Sequence, residues 1–442
     1  MTRLIPAFGL LVMILLAWLM SSHKRRFPWR VAFGGIFLQV FFASLILKTD
    51  AGEAVFQAVG DFFTGILGYV DKGSAFLFDV FPRESDPEPL PAQYTLWRSF
   101  AFGILPTIVF FSALMSVLYH VGLMQLVVQG MAWVMRKTLG TSGAETLSAA
   151  ANVFVGQTEA PLVIRPYIAG MTMSELNVVM VGGFATIAGG VFAAYIGMGI
   201  DAGHLLTASV ISAPAALMIA KIMQPETEES ATSGGARITA ESGCVNVLEA
   251  AAEGTASGLK LALNVGAMLL VFVAFVAMVN AFVGWCGHRV AFWLHYQPAE
   301  EWSLEVAFGN VFAPFAWLMG IPWDECRRAG AILGTRTVIN EFLAYAQLAG
   351  EREELSLRTY VITTYALCGF ANFSSIGIQL GGIGGIAPER RSDLARLGLR
   401  AMLGGTLATF MTACVAGVLL SDADLEQREI QSSVSVSETD NR

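Results

Sequence analysis

Eight apolar stretches, each close to the length of a membrane-spanning helix, dominate this 442-residue sequence. A spanning helix needs about 20 mainly apolar residues to cross the hydrocarbon core of a bilayer. Hydrophobic residues make up 55% of the chain and charged residues 14%, whereas soluble proteins carry about 25% charged residues. We therefore expect an all-α integral membrane protein with lipid as its solvent, which excludes a soluble enzyme, a disordered chain and a nucleic-acid-binding domain. The predicted spans are 4–20, 31–47, 100–123, 176–198, 205–222, 259–282, 360–380 and 399–420.

Two basic clusters predict the orientation of these spans. Lys24, Arg25, Arg26 and Arg30 follow the first span, and a second cluster lies at the start of the last one, with Arg390, Arg391, Arg396 and Arg400. Cytoplasmic loops carry an excess of Lys and Arg, so both loops are expected in the cytoplasm and both termini outside. The first run lacks the small-residue cleavage site of a signal peptide, so it is interpreted as a span. Amphipathic stretches at 54–80 and 124–139 are predicted to be interfacial helices.

The two halves of the chain carry similar features in the same order. Thr158-Glu159 is followed by Gly183-Phe184-Ala185, and Asn340-Glu341 is followed by Gly369-Phe370-Ala371, with nearly equal separations. A polar segment at 225–257 divides the halves. This order predicts an inverted internal repeat with broken helices, an arrangement that places a substrate site at the bilayer midplane between the halves.

The segment around Glu159 is too polar and too interrupted to be one span. It predicts two short helices that meet at Gly156 and Gln157, a re-entrant hairpin. A charged side chain inside the membrane costs about 2.5–3.5 kcal/mol on insertion scales. Glu159 is therefore either a loop residue outside the membrane or a buried acceptor in a solute site.

The second half offers a matching polar set. Asn372 and Ser375 are three residues apart and share a helix face, where they would either bind a solute or join helices by hydrogen bonds. Glu341 could form a structural ion pair with Arg336 or accept from a solute. Amides and acceptors without excess positive charge suit a neutral polar solute better than a phosphate or carboxylate. The candidate set is Gln157, Thr158, Glu159, Glu341, Asn372 and Ser375.

Four segments, 156–167, 258–268, 340–345 and 365–375, resemble the signature segments of the concentrative nucleoside transporter family, most closely its bacterial sodium-coupled members. The resemblance runs from about residue 100 to 420. It implies a symporter that takes up nucleosides such as uridine across a bacterial inner membrane, driven by a sodium gradient.

The family resemblance also implies an architecture. A homotrimeric scaffold would include the spans at 100–123 and 259–282, and a transport domain would move against it like an elevator. The transport domain would hold hairpins near 143–170 and 326–350 and broken helices near 174–199 and 357–380. The expected divisions are 1–50 (two spans), 51–140 (interfacial helix, scaffold span, amphipathic helix), 141–222 (first transport repeat), 223–258 (polar linker and interfacial helix), 259–322 (scaffold span and amphipathic segment), 323–420 (second repeat) and 421–442 (acidic tail).

Site roles follow from the same resemblance. Gln157, Thr158 and Glu159 would contact the nucleobase, and Val191 would line its pocket. Glu341, Asn372 and Ser375 would bind the ribose hydroxyls, with Phe370 packed nearby. The implied sodium ligands are Asn152, Val155, Thr186 and Ile187, where Thr186 replaces the serine of related chains and keeps its hydroxyl. No other cofactor is implied.

Three alternatives remain at this point. Some members of the family use protons, which would make the coupling ion H⁺. A channel could be framed by two hairpins, although no filter motif is present. Gly140-Thr-Ser-Gly143 matches the GxSG pattern of intramembrane serine proteases, which need a histidine base such as His120 or His204. A helix cap at Thr141 or Ser142 explains the same residues.

Overall fold

The computed structural model describes residues 3–78, 100–233, 244–294 and 302–420. These residues are almost entirely helical and contain no strand, which confirms the all-α prediction. The acidic tail and the end of the predicted interfacial helix at 54–80 lie outside the described residues. Within these described ranges, six helices are long and apolar enough to cross a membrane: Trp29–Lys48, Ala101–His120, Met173–Gly197, Ala202–Met223, Val247–Ala291 and Pro388–Leu419.

The other two predicted spans take different forms. The first is the apolar helix Leu4–Leu19, which is shorter than a typical span. The stretch 360–380 is a broken helix formed by Leu357–Leu367 and Phe373–Ile386. Its break includes Asn372, whose extended backbone (φ −135°, ψ 164°) starts the second piece. The break places the buried Asn372 side chain in the middle of an apolar segment.

The helix expected at 259–282 extends much further, from Val247 to Leu294. The predicted boundary at 258 therefore falls inside a helix, because a run of apolar residues marks only the part of a helix that can lie in the lipid. This helix packs closely against Leu105–His120. A Cβ at Gly254 would lie 2.7 Å from Cα of Ala113, and one at Gly258 would lie 2.9 Å from Cα of Val109. Glycine at both positions allows the backbones to approach. These two helices contain the spans that were expected to belong to a scaffold, and they are called the scaffold pair below.

The same succession of elements occurs in both halves of the described chain. Each half contains short helices separated by a non-helical tip, then a broken helix, then a long helix. The core lies between the halves, where Met173–Ala185 packs on Arg391–Leu419 and Gly405 lies against Phe184. The repeated elements of the first half are Gly143–Ala151, Ala160–Val163, Arg165–Ile168, Met173–Ala185, Gly189–Gly197 and Ala202–Met223. Those of the second half are Cys326–Val338, Glu341–Gly350, Leu357–Leu367, Phe373–Ile386 and Arg391–Leu419.

The two basic clusters lie at the same end of the molecule. The guanidinium of Arg400 donates to the backbone oxygen of Met20 (2.6 Å) and to that of Met223, and also to Oε1 of Gln224 (3.2 Å). These bonds join the start of the last long helix to the loop that carries Lys24. The prediction that both basic clusters face one side of the membrane agrees with this packing.

A buried ion pair fixes the start of the first hairpin. Lys221 Nζ lies 2.7 Å from Oε2 of Glu145 and 3.2 Å from Oε2 of Glu226. The Ser142 hydroxyl donates to Glu175 Oε1 at 2.5 Å. Ser142 occupies the N-cap of helix Gly143–Ala151, as one of the two interpretations of the GxSG pattern predicts. Its hydroxyl is bonded to a carboxylate rather than to a histidine, which removes the basis for a protease.

Candidate functional site

The tip of the first hairpin, residues 152–159, is called the first tip. Helix Gly143–Ala151 ends with Asn152 as its C-cap, and the chain becomes helical again only at Ala160. Pro161 and Pro166 each lie in the first turn of a four-residue helix, so the second arm is two single turns. A Cβ at Gly156 would collide with the Glu159 carboxylate, so a larger residue here would displace that side chain. The first tip therefore presents its polar side chains from irregular backbone.

The first tip packs directly on the second half of the chain. Nε2 of Gln157 donates to Oγ of Ser375 at 3.2 Å, and Nε2 of Gln379 donates to Oε1 of Gln157 at 3.0 Å. Gly382 accommodates Thr158, since a Cβ at this glycine would lie 2.7 Å from Thr158 Cγ2. These contacts bring the candidate base-binding residues beside the candidate ribose-binding residues.

Glu341 lies at the start of helix Glu341–Gly350, after the second tip at 339–340, and is buried. Its Oε1 accepts from the Tyr195 hydroxyl at 3.2 Å and its Oε2 accepts from Asn372 Nδ2 at 3.0 Å. The Tyr195 ring packs on Tyr345, with centroids 4.3 Å apart. The carboxylate is thus held by one donor from each half of the chain.

Asn372 has its amide orientation fixed by the helix that it caps. Its Oδ1 accepts from the backbone N–H of Ser375 at 2.9 Å and from the Ser374 hydroxyl at 2.7 Å. The Nδ2 group is therefore directed at Glu341. An N-cap side chain satisfies an N–H that has no partner within the helix, so one residue both starts the helix and orients the acid.

The remaining candidates, Val191, Phe370 and Glu159, have fewer contacts with the other site residues. Val191 is buried and Phe370 is half-buried, and the Phe370 N–H donates to the Thr186 oxygen at 3.3 Å. Glu159 is exposed at the first tip, where it accepts from the Thr158 hydroxyl at 3.0 Å. The side chain of Glu159 therefore lies outside the packed interior, and its role as an acceptor in a solute site stays a prediction.

The predicted sodium ligands lie where the first tip meets the first broken helix. The Asn152 Oδ1 atom is buried without a hydrogen-bond partner, while Nδ2 donates to Ser148 O at 3.1 Å. A Cβ at Gly182 would lie 3.0 Å from Asn152 Nδ2, which puts this amide beside the last turn before Thr186. The Gly189 N–H donates to Phe154 O at 3.1 Å and joins the tip to the break at 186–188.

This donor set suits a small hard cation. Thr186 has extended backbone at the end of helix Met173–Ala185 and offers a hydroxyl oxygen, which donates its proton to Gly182 O at 2.9 Å. Amide, hydroxyl and carbonyl oxygens are the ligands that hard cations prefer, and a helix C-terminus is electronegative. In the described part of the chain, no cluster of three or more His, Cys, Asp or Glu could hold a metal ion.

Arg336 and Glu341 do not form a direct ion pair, which was one of the two possibilities that the sequence left open. This fully buried guanidinium donates to Ala366 O at 2.6 Å and to Thr409 Oγ1 at 2.7 Å. It also lies over the Phe410 ring, 5.3 Å from its centroid. Arg336 therefore attaches the second hairpin to the broken helix and the long helix behind it.

Sequence reasoning missed two residues of this site. Gln379 had a detectable signal, because a glutamine in an apolar helix needs partners for its amide. Tyr195 gave no such signal, since a tyrosine within an apolar span is equally typical of helix packing or of a membrane interface.

The chain matches family profiles along most of its length. Residues 8–81 match the N-terminal domain and residues 204–417 the C-terminal domain of the "Na+ dependent nucleoside transporter" family. Residues 101–202 match a "Nucleoside recognition" domain. The chain belongs to the concentrative nucleoside transporter family. The resemblance of its signature segments to this family is confirmed.

Known members of the family are similar over nearly the whole chain. It is 43% identical to solute carrier family 28 member 3 of Eptatretus stoutii and 42% identical to sodium/nucleoside cotransporter 1 of Rattus norvegicus, with 94% of the chain covered in each case. The chain spans only 60% and 64% of the lengths of these two relatives. An uncharacterized transporter of Haemophilus influenzae is 43% identical, with 95% of the chain and 98% of the relative covered.

Solved structures of the family share the fold. CNTnw in an inward-facing, substrate-bound state superposes with a TM-score of 0.86 at 40% identity, covering 95% of this chain and 98% of that one. A variant of CNTnw in an outward-facing state gives 0.85 at 39% identity, with the same coverage. Members of this family are transporters and not enzymes, and this chain is a multi-pass integral membrane protein. Relatives in bacteria agree with the predicted location in an inner membrane.

Proposed function

We propose that this protein is a secondary active symporter that takes up nucleosides, driven by a sodium gradient. The observation that carries the proposal is the pair of hydrogen-bonded contacts, Gln157 with Ser375 and Asn372 with Glu341, that joins both tips to one broken helix. Such a set offers amide groups to a base and a carboxylate to a sugar. The names of the relatives, which include sodium/nucleoside cotransporter 1, support the same solute and ion.

The proposed binding mode divides the site by chemistry. Glu341 accepts from the ribose hydroxyls, and Asn372 and Ser375 complete the ribose contacts from their shared helix end. A carboxylate is a strong acceptor for hydroxyl protons. Gln157 and Thr158, with Glu159, contact the base edge, and Val191 and Phe370 pack against the base or sugar faces.

The proposed sodium ion binds to oxygens of Asn152, Val155, Thr186 and Ile187. The buried, unpartnered Oδ1 of Asn152 supports this assignment, because a buried acceptor without a partner is costly unless something occupies it. Sodium at this position would tie the first tip to the first broken helix. The ion would thereby order the tip that carries Gln157, which couples ion binding to nucleoside binding.

The proposed movement is an elevator-like displacement of the transport domain against a scaffold in a homotrimer. Helix Gly189–Gly197 packs on Leu105–His120 of the scaffold pair, so the two bodies meet along these two helices. Gly190 lies against Ser112 there. Apolar side chains along Val247–Leu294 are widely exposed and would face lipid or neighbouring protomers.

Purified protein in proteoliposomes is expected to concentrate labelled uridine when sodium is present outside and absent inside. A pH gradient without sodium is expected to drive no accumulation. Uptake would be measured as radiolabel retained on filters, with protein-free liposomes as the blank. Uptake that follows the pH gradient would establish the proton-coupled alternative, and equal uptake without either gradient would refute symport.

Thr186→Val is expected to raise the sodium concentration for half-maximal uptake about tenfold, because it removes one oxygen ligand of the proposed ion; a tenfold change in affinity corresponds to about 1.4 kcal/mol. Thr186→Ser retains the hydroxyl and is the matched control, with sodium dependence close to wild type. The measurement is initial uridine uptake against sodium concentration. Equal sodium dependence of the valine and serine variants would remove Thr186 from the ion site.

A further inference from the structure

Gln379 is a fully buried glutamine in the otherwise apolar helix Phe373–Ile386. Its Nε2 group donates two hydrogen bonds, one to Gln157 Oε1 at 3.0 Å and one to the backbone oxygen of Met180 at 3.1 Å. The side chain therefore contacts both the first tip and the first broken helix. The roles proposed above for the site do not use it.

The surrounding residues make room for this contact. Ser375, Gln379 and Gly382 are spaced four and three residues apart, so they share the helix face that meets the first tip. A Cβ at Gly183 would lie 2.8 Å from Gln379 Nε2 and 2.9 Å from Gln157 Cβ. Only a glycine at 183 lets both glutamines pack against this helix without displacement.

The Met180 carbonyl determines how the amides of Gln379 and Gln157 are oriented. A backbone carbonyl can only accept, so Gln379 must turn its NH₂ group toward it. That same NH₂ group also donates to Gln157, whose Oε1 must then face Gln379. The Nε2 group of Gln157 consequently faces Ser375 and the proposed solute site, with one of its two protons used by Ser375.

We propose that Gln379 is a specificity-determining positioning residue, which fixes the Gln157 amide so that the nucleobase meets an N–H donor. The inference rests on the proposed function. It predicts a preference for nucleosides whose base carries a carbonyl at C4 of a pyrimidine or at C6 of a purine. Uridine carries this carbonyl at C4 and inosine at C6, whereas pyrimidin-2-one riboside, which keeps only its C2 carbonyl, and purine riboside have hydrogen at that position.

The test compares Gln379→Met with wild type on these two matched pairs of nucleosides. Methionine fills a similar volume without a donor, so the Gln157 amide is free to turn. Wild type is expected to prefer the carbonyl-bearing nucleoside of each pair, measured as the ratio of kcat/KM values for uptake. In Gln379→Met this ratio is expected to fall about fivefold or more, which corresponds to the free energy that one hydrogen bond contributes.

Two further variants separate positioning from stability. In a Gln157→Met background, Gln379→Met should leave the ratio unchanged, because no amide remains to be oriented. Gln39→Met removes another fully buried glutamine, which donates to Gly35 O at 3.3 Å in helix Trp29–Lys48, and should keep the wild-type ratio. Gln379→Asn, whose shorter amide cannot reach both acceptors, replaces Gln379→Met if that variant does not fold.

Three results would overturn the inference. The first is an equal fractional loss of uptake for both members of each pair, which indicates a structural role alone. The second is a ratio shift that persists without Gln157. The third is a wild type that transports nucleosides without preferring the carbonyl. A wild type that transports no nucleoside would instead overturn the proposed function, and this inference with it.

Discussion

Glu341→Gln is expected to lower nucleoside uptake by about a hundredfold, because hydrogen bonds to a charged group are worth about 1.5–3 kcal/mol each. The wild-type carboxylate already accepts from the Tyr195 hydroxyl and from Asn372 Nδ2, one donor on each oxygen. A glutamine can accept on one side only, so its NH₂ group faces one of these donors. The amide also loses the charge that would attract the ribose hydroxyl protons.

The measurement is initial uridine uptake by proteoliposomes that contain equal amounts of folded protein, with folding checked by size-exclusion profile and thermal unfolding. Glu354→Gln is the matched control, because Glu354 is exposed and belongs to neither tip. Its Oε2 atom lies 2.6 Å from Nη1 of Arg328 in a surface salt bridge. The control should keep wild-type uptake. Wild-type uptake by a folded Glu341→Gln variant would remove Glu341 from the ribose site.

A companion variant tests the partner of this acid. Asn372→Ala removes both the cap of helix Phe373–Ile386 and the donor to Glu341, whereas Asn372→Ser keeps a capping oxygen. Loss of an N-cap alone costs about 1 kcal/mol of stability. Both variants should lose uptake, but the serine variant should retain more thermal stability, which separates the helix cap from the binding role.

The parts of the fold that lipid dictates were predictable from the sequence. The predicted span at 205–222 corresponds to helix Ala202–Met223, because a continuous apolar run in lipid must satisfy its backbone within one helix. The break near Asn372 was also predictable, since glycine, asparagine and serine interrupt an apolar run there. Apolar length does not report where a helix ends in water, which is why Val247–Leu294 exceeds its prediction.

The site was predictable only in its residue types. Polar groups in apolar surroundings singled out Glu341, Asn372 and Gln157. Their partners depend on how the two halves pack, and Gln157 meets Gln379 across 222 positions of sequence. No local pattern encodes such a pairing. The exposure of Glu159 has the same cause, because the direction of a side chain at an irregular tip follows from backbone that the sequence pattern does not specify.

Cysteines at Ser112 and Gly190 are expected to lock the proposed transport domain to the scaffold pair and to stop uptake. A Cβ at Gly190 would lie 2.9 Å from Oγ of Ser112. In a disulfide, the Cβ of one cysteine lies about 3 Å from the sulfur of the other, so the geometry permits the bond. Oxidised Ser112→Cys/Gly190→Cys should retain less than about a tenth of its uptake if the helices must slide past one another.

Reduction with dithiothreitol should restore uptake in the double variant, because the two sulfurs then part and helix Gly189–Gly197 can leave Leu105–His120. The background chain has its five native cysteines, Cys244, Cys286, Cys326, Cys368 and Cys414, replaced by alanine or serine so that no other bond forms. Each single cysteine variant serves as a control for the added side chain, and oxidation should leave its uptake unchanged.

Binding of labelled uridine to the oxidised protein distinguishes a blocked movement from a damaged site, since Ser112 lies outside the polar contacts of the tips. A fully crosslinked protein that still accumulates uridine at the wild-type rate would show that this helix contact persists throughout transport, and the elevator movement proposed here would be wrong.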